Sequence, residues 1–103
     1  MIFSRKEEKL IERFYDNLDE FEQEKMLLVW KDGSKILANF DTCFEDDNEL
    51  ELDDPNYEEF CSFIFEVLAV EKTPPVYIAE SGLCLINYKN FPDVILVGDK
   101  KIN

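Results

Sequence analysis

Carboxylates are the side chains of this sequence with the most obvious capacity for chemistry, and they are crowded. Nine of the fifteen residues from Glu45 to Glu59 are acidic, namely Glu45, Asp46, Asp47, Glu49, Glu51, Asp53, Asp54, Glu58 and Glu59. Asp41 precedes them and Tyr57 sits among them. Carboxylates in such a pattern can coordinate a divalent cation, pass protons as an acid–base pair, or accept the ammonium and guanidinium groups of a partner. Residue spacing separates the three.

Asp46-x-Asn48 begins like an EF-hand calcium loop. That loop needs an oxygen at its third ligand position and a glycine next to it, and here Leu50 and Glu51 stand there. Cation binding is expected to be weak and adventitious, with no resident metal. Catalysis finds no support either. The chain contains no histidine, so neither a Ser-His nor a Cys-His dyad can form. Gly33, Gly82 and Gly98 are isolated turn residues and make no phosphate-binding loop. No one carboxylate pair stands out as an acid–base couple. The sequence predicts a protein that is not an enzyme and needs no cofactor.

The third chemistry fits the charge distribution. Twenty-four acidic residues face eleven basic ones, for a net charge of −13. Twelve of the acids and none of the bases lie between Ile36 and Glu71, which leaves the rest of the chain near balance at −1. A small domain needs a net charge of only about 2 to 8 for solubility. Crowding carboxylates also costs self-repulsion, even with a screening length of about 8 Å at physiological salt. Such a surface repels nucleic-acid phosphates and anionic lipid headgroups, so neither nucleic acid nor membrane is an expected partner. The expected partner is a basic protein, with Tyr57 either an aromatic anchor for it or a plug in the rim of the fold.

Several elements must position these groups. At 103 residues, 46% of them hydrophobic, the chain is read as one domain over 1–103. Leu10, Ile11, Phe14, Tyr15, Leu18 and Phe21 recur at spacings of three and four and predict an amphipathic helix over 4–24. Ser4 and Glu7 have capping-box spacing. Arg5 and Lys6 at its start, with Glu20, Glu22 and Glu24 at its end, oppose the helix dipole. That helix must rely on packing. A bent antiparallel sheet or barrel is expected over 26–98. Its strands run from Met26 to Trp30 and Ser34 to Phe44, then briefly at Leu50 and Leu52. Further strands run from Phe60 to Val70, Val76 to Ala79, Leu83 to Tyr88 and Val94 to Val97. Asp32-Gly33 predicts a type I′ hairpin and Thr73-Pro74-Pro75 a loop. The segment from Phe60 to Val70 is apolar on both faces, which predicts a strand that is central or bends so that both faces meet core, with a helix as the alternative. Trp30, Phe40, Phe60, Phe63 and Phe65 read as core.

Cys43, Cys61 and Cys84 are widely spaced and odd in number, and read as buried reduced thiols of a reducing compartment. Met1-Ile2-Phe3-Ser4-Arg5-Lys6 turns polar at once, and the longest apolar run, Met26 to Trp30, is too short to span a bilayer. A cytoplasmic location is expected.

Helix first, then short strands with tight turns, resembles the Sm-like (SH3-type small barrel) fold. Leu28-Val29-Trp30-Lys31-Asp32-Gly33 looks like that family's first hairpin, and Asn48 falls where its first motif carries asparagine. Leu85-Ile86-Asn87-Tyr88 with Val94-Ile95-Leu96-Val97 looks like its final strand pair. The resemblance implies an α+β, mainly β fold. It implies no RNA-binding role. The Asp-x-x-Met-Asn element keeps only Asn48 in Glu45-Asp46-Asp47-Asn48, and no Arg-Gly or Lys-Gly follows Ile86.

The expectation for function is an interaction protein. It would use Asp41, Tyr57 and the nine carboxylates to bind and neutralise a basic protein, as an immunity or antitoxin-type inhibitor does. Two other readings stay open. One is a nucleic-acid mimic whose carboxylates stand in for phosphates. The other is an accessory structural subunit whose acidic rim only keeps it soluble.

Overall fold

The computed structural model describes residues 3–74 and 76–103. The readings of Met1, of Ile2, and of Pro75 in the expected loop lie outside them. One helix, α1 (Arg5–Phe21), precedes six strands: β1 (Lys25–Val29), β2 (Lys35–Asp47), β3 (Glu59–Lys72), β4 (Leu83–Ile86), β5 (Val94–Val97) and β6 (Lys100–Lys101). They form one antiparallel sheet in the order β4-β3-β2-β1-β5-β6. The fold is α+β and mainly β, as expected.

Ile11, Phe14 and Leu18 of α1 are buried at spacings of three and four, which is the apolar stripe the sequence carries. The start of α1 is tied down by Glu7, whose Oε1 accepts the Ser4 amide at 3.0 Å. The helix stops at Phe21, before the last of the acids that oppose its dipole. Its final turn has no basic residue of its own, but Lys100 of β6 brings its Nζ to 4.9 Å from the Phe21 ring. A cation there is favourable both to the ring and to the negative helix end.

Phe14 is the centre of the core. Its ring meets Phe63 at 5.5 Å, Phe91 at 5.7 Å, Phe65 at 6.1 Å and Phe40 at 6.4 Å between centroids. Truncating a fully buried Phe to Ala costs about 3–5 kcal/mol, a large share of the stability of a domain this small. Trp30 is held at the rim, where Nε1 donates to the Asn90 carbonyl at 2.8 Å.

β2 and β3 are long, at 13 and 14 residues, and form a hairpin that accounts for the elongated 43 × 29 × 24 Å outline. Three register shifts interrupt their ladder, one of them leaving Asp41 without a partner between Phe40 and Thr42. Bulges of this kind bend a strand and raise its twist, which wraps the sheet around α1.

Several local expectations are corrected. The β1–β2 connection is not a type I′ turn. Gly33 has φ +87°, while Glu49 is the only described non-glycine residue with positive φ, so Asp32 is not left-handed. The Gly33 amide donates to the Trp30 carbonyl at 2.9 Å, and the Trp30 amide to the Ser34 carbonyl at 3.0 Å. This is the wider turn that places one left-handed glycine after a type I bend. Asp32 favours it by accepting the Ser34 amide at 2.9 Å. Leu50 and Leu52 form no strand, because turns closed by Asp54 N–H to Glu51 O and Tyr57 N–H to Asp54 O occupy that backbone. From Val76 to Ala79 only a single bridge forms, Ile78 with Cys84. β2 runs three residues further than expected, to Asp47, and β6 had no sequence signal at two residues long.

Candidate protein-binding site

The far end of the β2–β3 hairpin carries the carboxylates. The register sets Glu45 opposite Cys61, Asp46 opposite Phe60, and Asp47 opposite Glu59. Directly opposed residues share a face. Glu45, Asp47 and Glu59 therefore share one face, and with Tyr57 and with Asp46, which alternates to the other face, they border an open hollow of about 270 Å³. Glu45 and Glu59 also border a second hollow of about 400 Å³ beside the start of α1, where Phe3 and Phe60 supply apolar walls.

Hydrogen bonds hold the shape of this end. Asp46 accepts the hydroxyl of buried Ser62 at 3.0 Å and the Asp47 amide at 2.8 Å. Asp47 accepts the Glu49 amide at 2.8 Å. Tyr57 is half-buried, and its hydroxyl donates to Glu59 at 3.0 Å, with Asp47 Oδ2 at 3.4 Å. Loss of solvent and the two carboxylates push its pKa up to about 12. Tyr57 is thus a clamp between like charges, more rim plug than free anchor.

Asn48 organises the connecting loop. Its side-chain oxygen accepts the Glu58 amide at 3.2 Å and its Nδ2 donates to the Asn56 carbonyl at 2.8 Å. Asp54 caps Asn56 at 2.8 Å. Glu49, Glu51 and Asp53 are exposed along this loop, as are Leu50 and Leu52, and Leu52 is 79% exposed. Asp41 is exposed at its bulge, six residues down the strand from Asp47.

Glu58 is occupied within the chain. It accepts the Tyr88 hydroxyl and the Lys6 ammonium, the latter at 2.9 Å, and Lys89 Nζ lies at 3.5 Å. These partners hold its carboxyl down at about 2. Glu7 is the other internal carboxylate. It is buried, and its Oε2 accepts the Cys61 amide at 2.6 Å, linking α1 to β3.

Sequence reading missed two charged groups away from this hollow. Asp16 and Asp19 of α1, with Glu22 just past its end, line a hollow of about 300 Å³ with Phe40 and Cys43. Their charge is cancelled in a count by sequence because bases elsewhere balance it, although the end-of-helix acids were a signal. Bases gather at the opposite end of the hairpin, where Lys35 pairs with Lys72 across β2 and β3, and Lys72 Nζ donates to the Asp32 carbonyl at 2.5 Å. The molecule is electrically polar along β2.

A family model described as Cognate immunity protein YxxD matches residues 7–96. The chain belongs to that family. It is thereby an immunity protein, an inhibitor that binds a partner toxin protein. The matched span includes α1 from Glu7, the whole acidic hairpin and most of β5. The family found is not an Sm-like one. No curated protein and no solved structure matches the chain. Among the described residues no group of His, Cys, Asp and Glu is placed to hold a metal ion, and no helix is long and apolar enough to cross a membrane.

Proposed function

We propose that this immunity protein neutralises a basic toxin by docking it against the acidic end of the β2–β3 hairpin. It does so in the cytoplasm and without catalysis of its own. The observation that carries the reading is the convergence of Glu45, Asp46, Asp47 and Glu59 on one hollow, in a chain whose family binds a toxin. Exposed Asp41, Glu49, Glu51 and Asp53 extend the negative surface around it. Asp54, Tyr57 and Glu58 serve it chiefly by fixing the loop and strand ends. Preorganised carboxylates meet lysine and arginine side chains with little ordering cost. The separation of acidic and basic ends orients the incoming partner. The mimic reading has less support, since these carboxylates surround a hollow and do not run in file. For the frame we keep the Sm-like, SH3-like reading over a single domain, supported by the helix and by β5 returning beside β1.

The test replaces Asp46, Asp47, Asp53 and Asp54 with Asn, which keeps an oxygen acceptor at each capping position. Toxin association should slow steeply with salt for the parent protein and much less for the variant. Affinity should fall by about 2–5 kcal/mol where the lost carboxylates leave toxin cations buried and unpaired. An unchanged affinity with no salt dependence rejects the docking role and leaves solubility as the reason for the charge.

A further inference from the structure

β3 is apolar on both faces, and on the face of Ile64 full burial ends with Phe60 and Ser62. Cys61, Phe63 and Phe65 turn inward and are buried, with Phe14 of α1 against Phe63 and Phe65. Ile64 turns the other way. The register puts Thr42 of β2 opposite it on one side and Leu85 of β4 on the other. Directly opposed residues share a face, and Phe44, two residues on from Thr42, shares it too. The result is an outward row across three strands. Phe44 is 38% exposed and Leu85 is 43% exposed, with Thr42 exposed and Ile64 half-buried between them. Among the described residues the only helix lies on the opposite face.

Single exposed apolar residues are ordinary on a soluble surface. Leu10 on α1 and Tyr77 in the β3–β4 connection are of that kind. Ile64 and Leu85 in register on adjacent strands, with Phe44 diagonal to Ile64, are not, and such a patch framed by charge has the anatomy of an interface core with a polar rim. The frame here is acidic. Asp46 stands two residues beyond Phe44, Glu66 two residues beyond Ile64, and Asp41 at the bulge beside Thr42. Asp46 also lines the carboxylate hollow, so the patch and the acidic end form one continuous surface.

We propose that this outward face of β2, β3 and β4 is the apolar anchor of the toxin interface, and that Phe44 and Leu85 are its main contacts. The toxin surface that fits is an apolar patch framed by lysine and arginine. The inference rests on the basic-toxin reading above. The carboxylates steer the toxin in, and the buried apolar row sets how slowly it leaves.

The probe is the purified cognate toxin, taken as the protein whose toxicity co-expression of this chain relieves. The variants are Phe44→Ser with Leu85→Ser, Thr42→Arg, and Leu10→Ser as an exposed apolar control on the helix. Thr42→Arg changes only an exposed side chain, so it keeps the test open should the double variant fold poorly. The double variant should weaken binding at least about 30-fold, the range of interface hot spots. The loss should appear as faster dissociation, with the association rate and its salt dependence retained. Thr42→Arg should match it, since it adds a cation facing a basic toxin. Leu10→Ser should stay within about twofold. If the double variant and Thr42→Arg both bind within twofold of the parent, the anchor is wrong, while the four-Asn variant still decides the basic-toxin reading separately. A parent homodimer that the double variant dissociates, with toxin affinity unchanged, assigns the face to a second copy and overturns the proposal.

Discussion

Glu58→Gln separates the carboxylate that builds this fold from those proposed to face the toxin. Glu58 accepts from Tyr88 and Lys6 and lies 3.5 Å from Lys89, and together these hold its pKa at about 2, against an ordinary 4.5. Taken at face value that displacement corresponds to about 3 kcal/mol of folding stability. Lys6 and Lys89 are 69% and 55% exposed, so water and salt screen both pairs. The expected contribution is therefore about 1–2 kcal/mol, mostly the charge-assisted bond from Tyr88. The folded pKa is the depressed one. The stability is thus fully present above the unfolded value near 4.5 and is lost as pH falls toward 2. Gln cannot titrate. The stability gap between parent and variant should be about 1–2 kcal/mol at pH 7, shrink below pH 4.5 and close near pH 2. Urea unfolding followed through the single tryptophan, Trp30, at several pH values measures it. A gap that stays constant from pH 7 to pH 3, or a variant more stable than the parent at pH 7, would mean that the ionised Glu58 carboxylate does not stabilise the fold.

Two further outcomes follow from buried groups. Glu7→Ala leaves the Cys61 and Ser4 amides without their acceptor and should lower stability by about 2–3 kcal/mol in a thermal melt, with Glu7→Gln losing less because one oxygen remains. In thiol titration of the native protein at pH 8, half-buried Cys43 should react first. Cys61 and Cys84, pushed up by burial to about 12 and about 11, should wait for unfolding, and three equivalents should appear in urea. Equal native rates for Cys43 and Cys61 would contradict this.

The parts of the fold that the sequence made legible are those with strong periodicity. Ile11, Phe14 and Leu18 mark a helix because their spacing matches 3.6 residues per turn and nothing interrupts it. The alternation from Ile36 onward marks β2. The misreadings arise where tertiary bonding decides. Leu50 and Leu52 alternate like a strand, but Asn48 and Asp54 offer the backbone local partners, and no neighbouring strand competes for it. Asp32-Gly33 satisfies a type I′ pattern, yet the Asp32 side chain bonds Ser34 and selects another turn. β3 reads as a strand with core on both sides, because composition registers that both faces are apolar and cannot register that full burial on one of them ends with Phe60 and Ser62. For the candidate site, the sequence placed the charge correctly along the chain. It could not distinguish Glu58, which Lys6 reaches from 52 residues away, from Glu59 beside it. That distinction depends on long-range register alone.

The open face and the acidic end answer different requirements of an inhibitor. An immunity protein must reach its toxin quickly and then hold it. Opposite charges accelerate encounter, but exposed pairs contribute little once formed, since each is solvated and screened. Residence requires area removed from water, and the acidic loop offers little of it beyond Leu50 and Leu52. The row through Thr42, Ile64 and Leu85, with Phe44 beside it, supplies such area on the face that Asp46 shares. In the proposed docking, Lys35 and Lys72 at the other end of the hairpin would add to the steering by repelling a basic toxin that arrives the wrong way round. An interaction built on charge alone would leave the apolar outer face of β3 unexplained. One built on the apolar face alone would leave unexplained why twelve acids and no bases lie between Ile36 and Glu71.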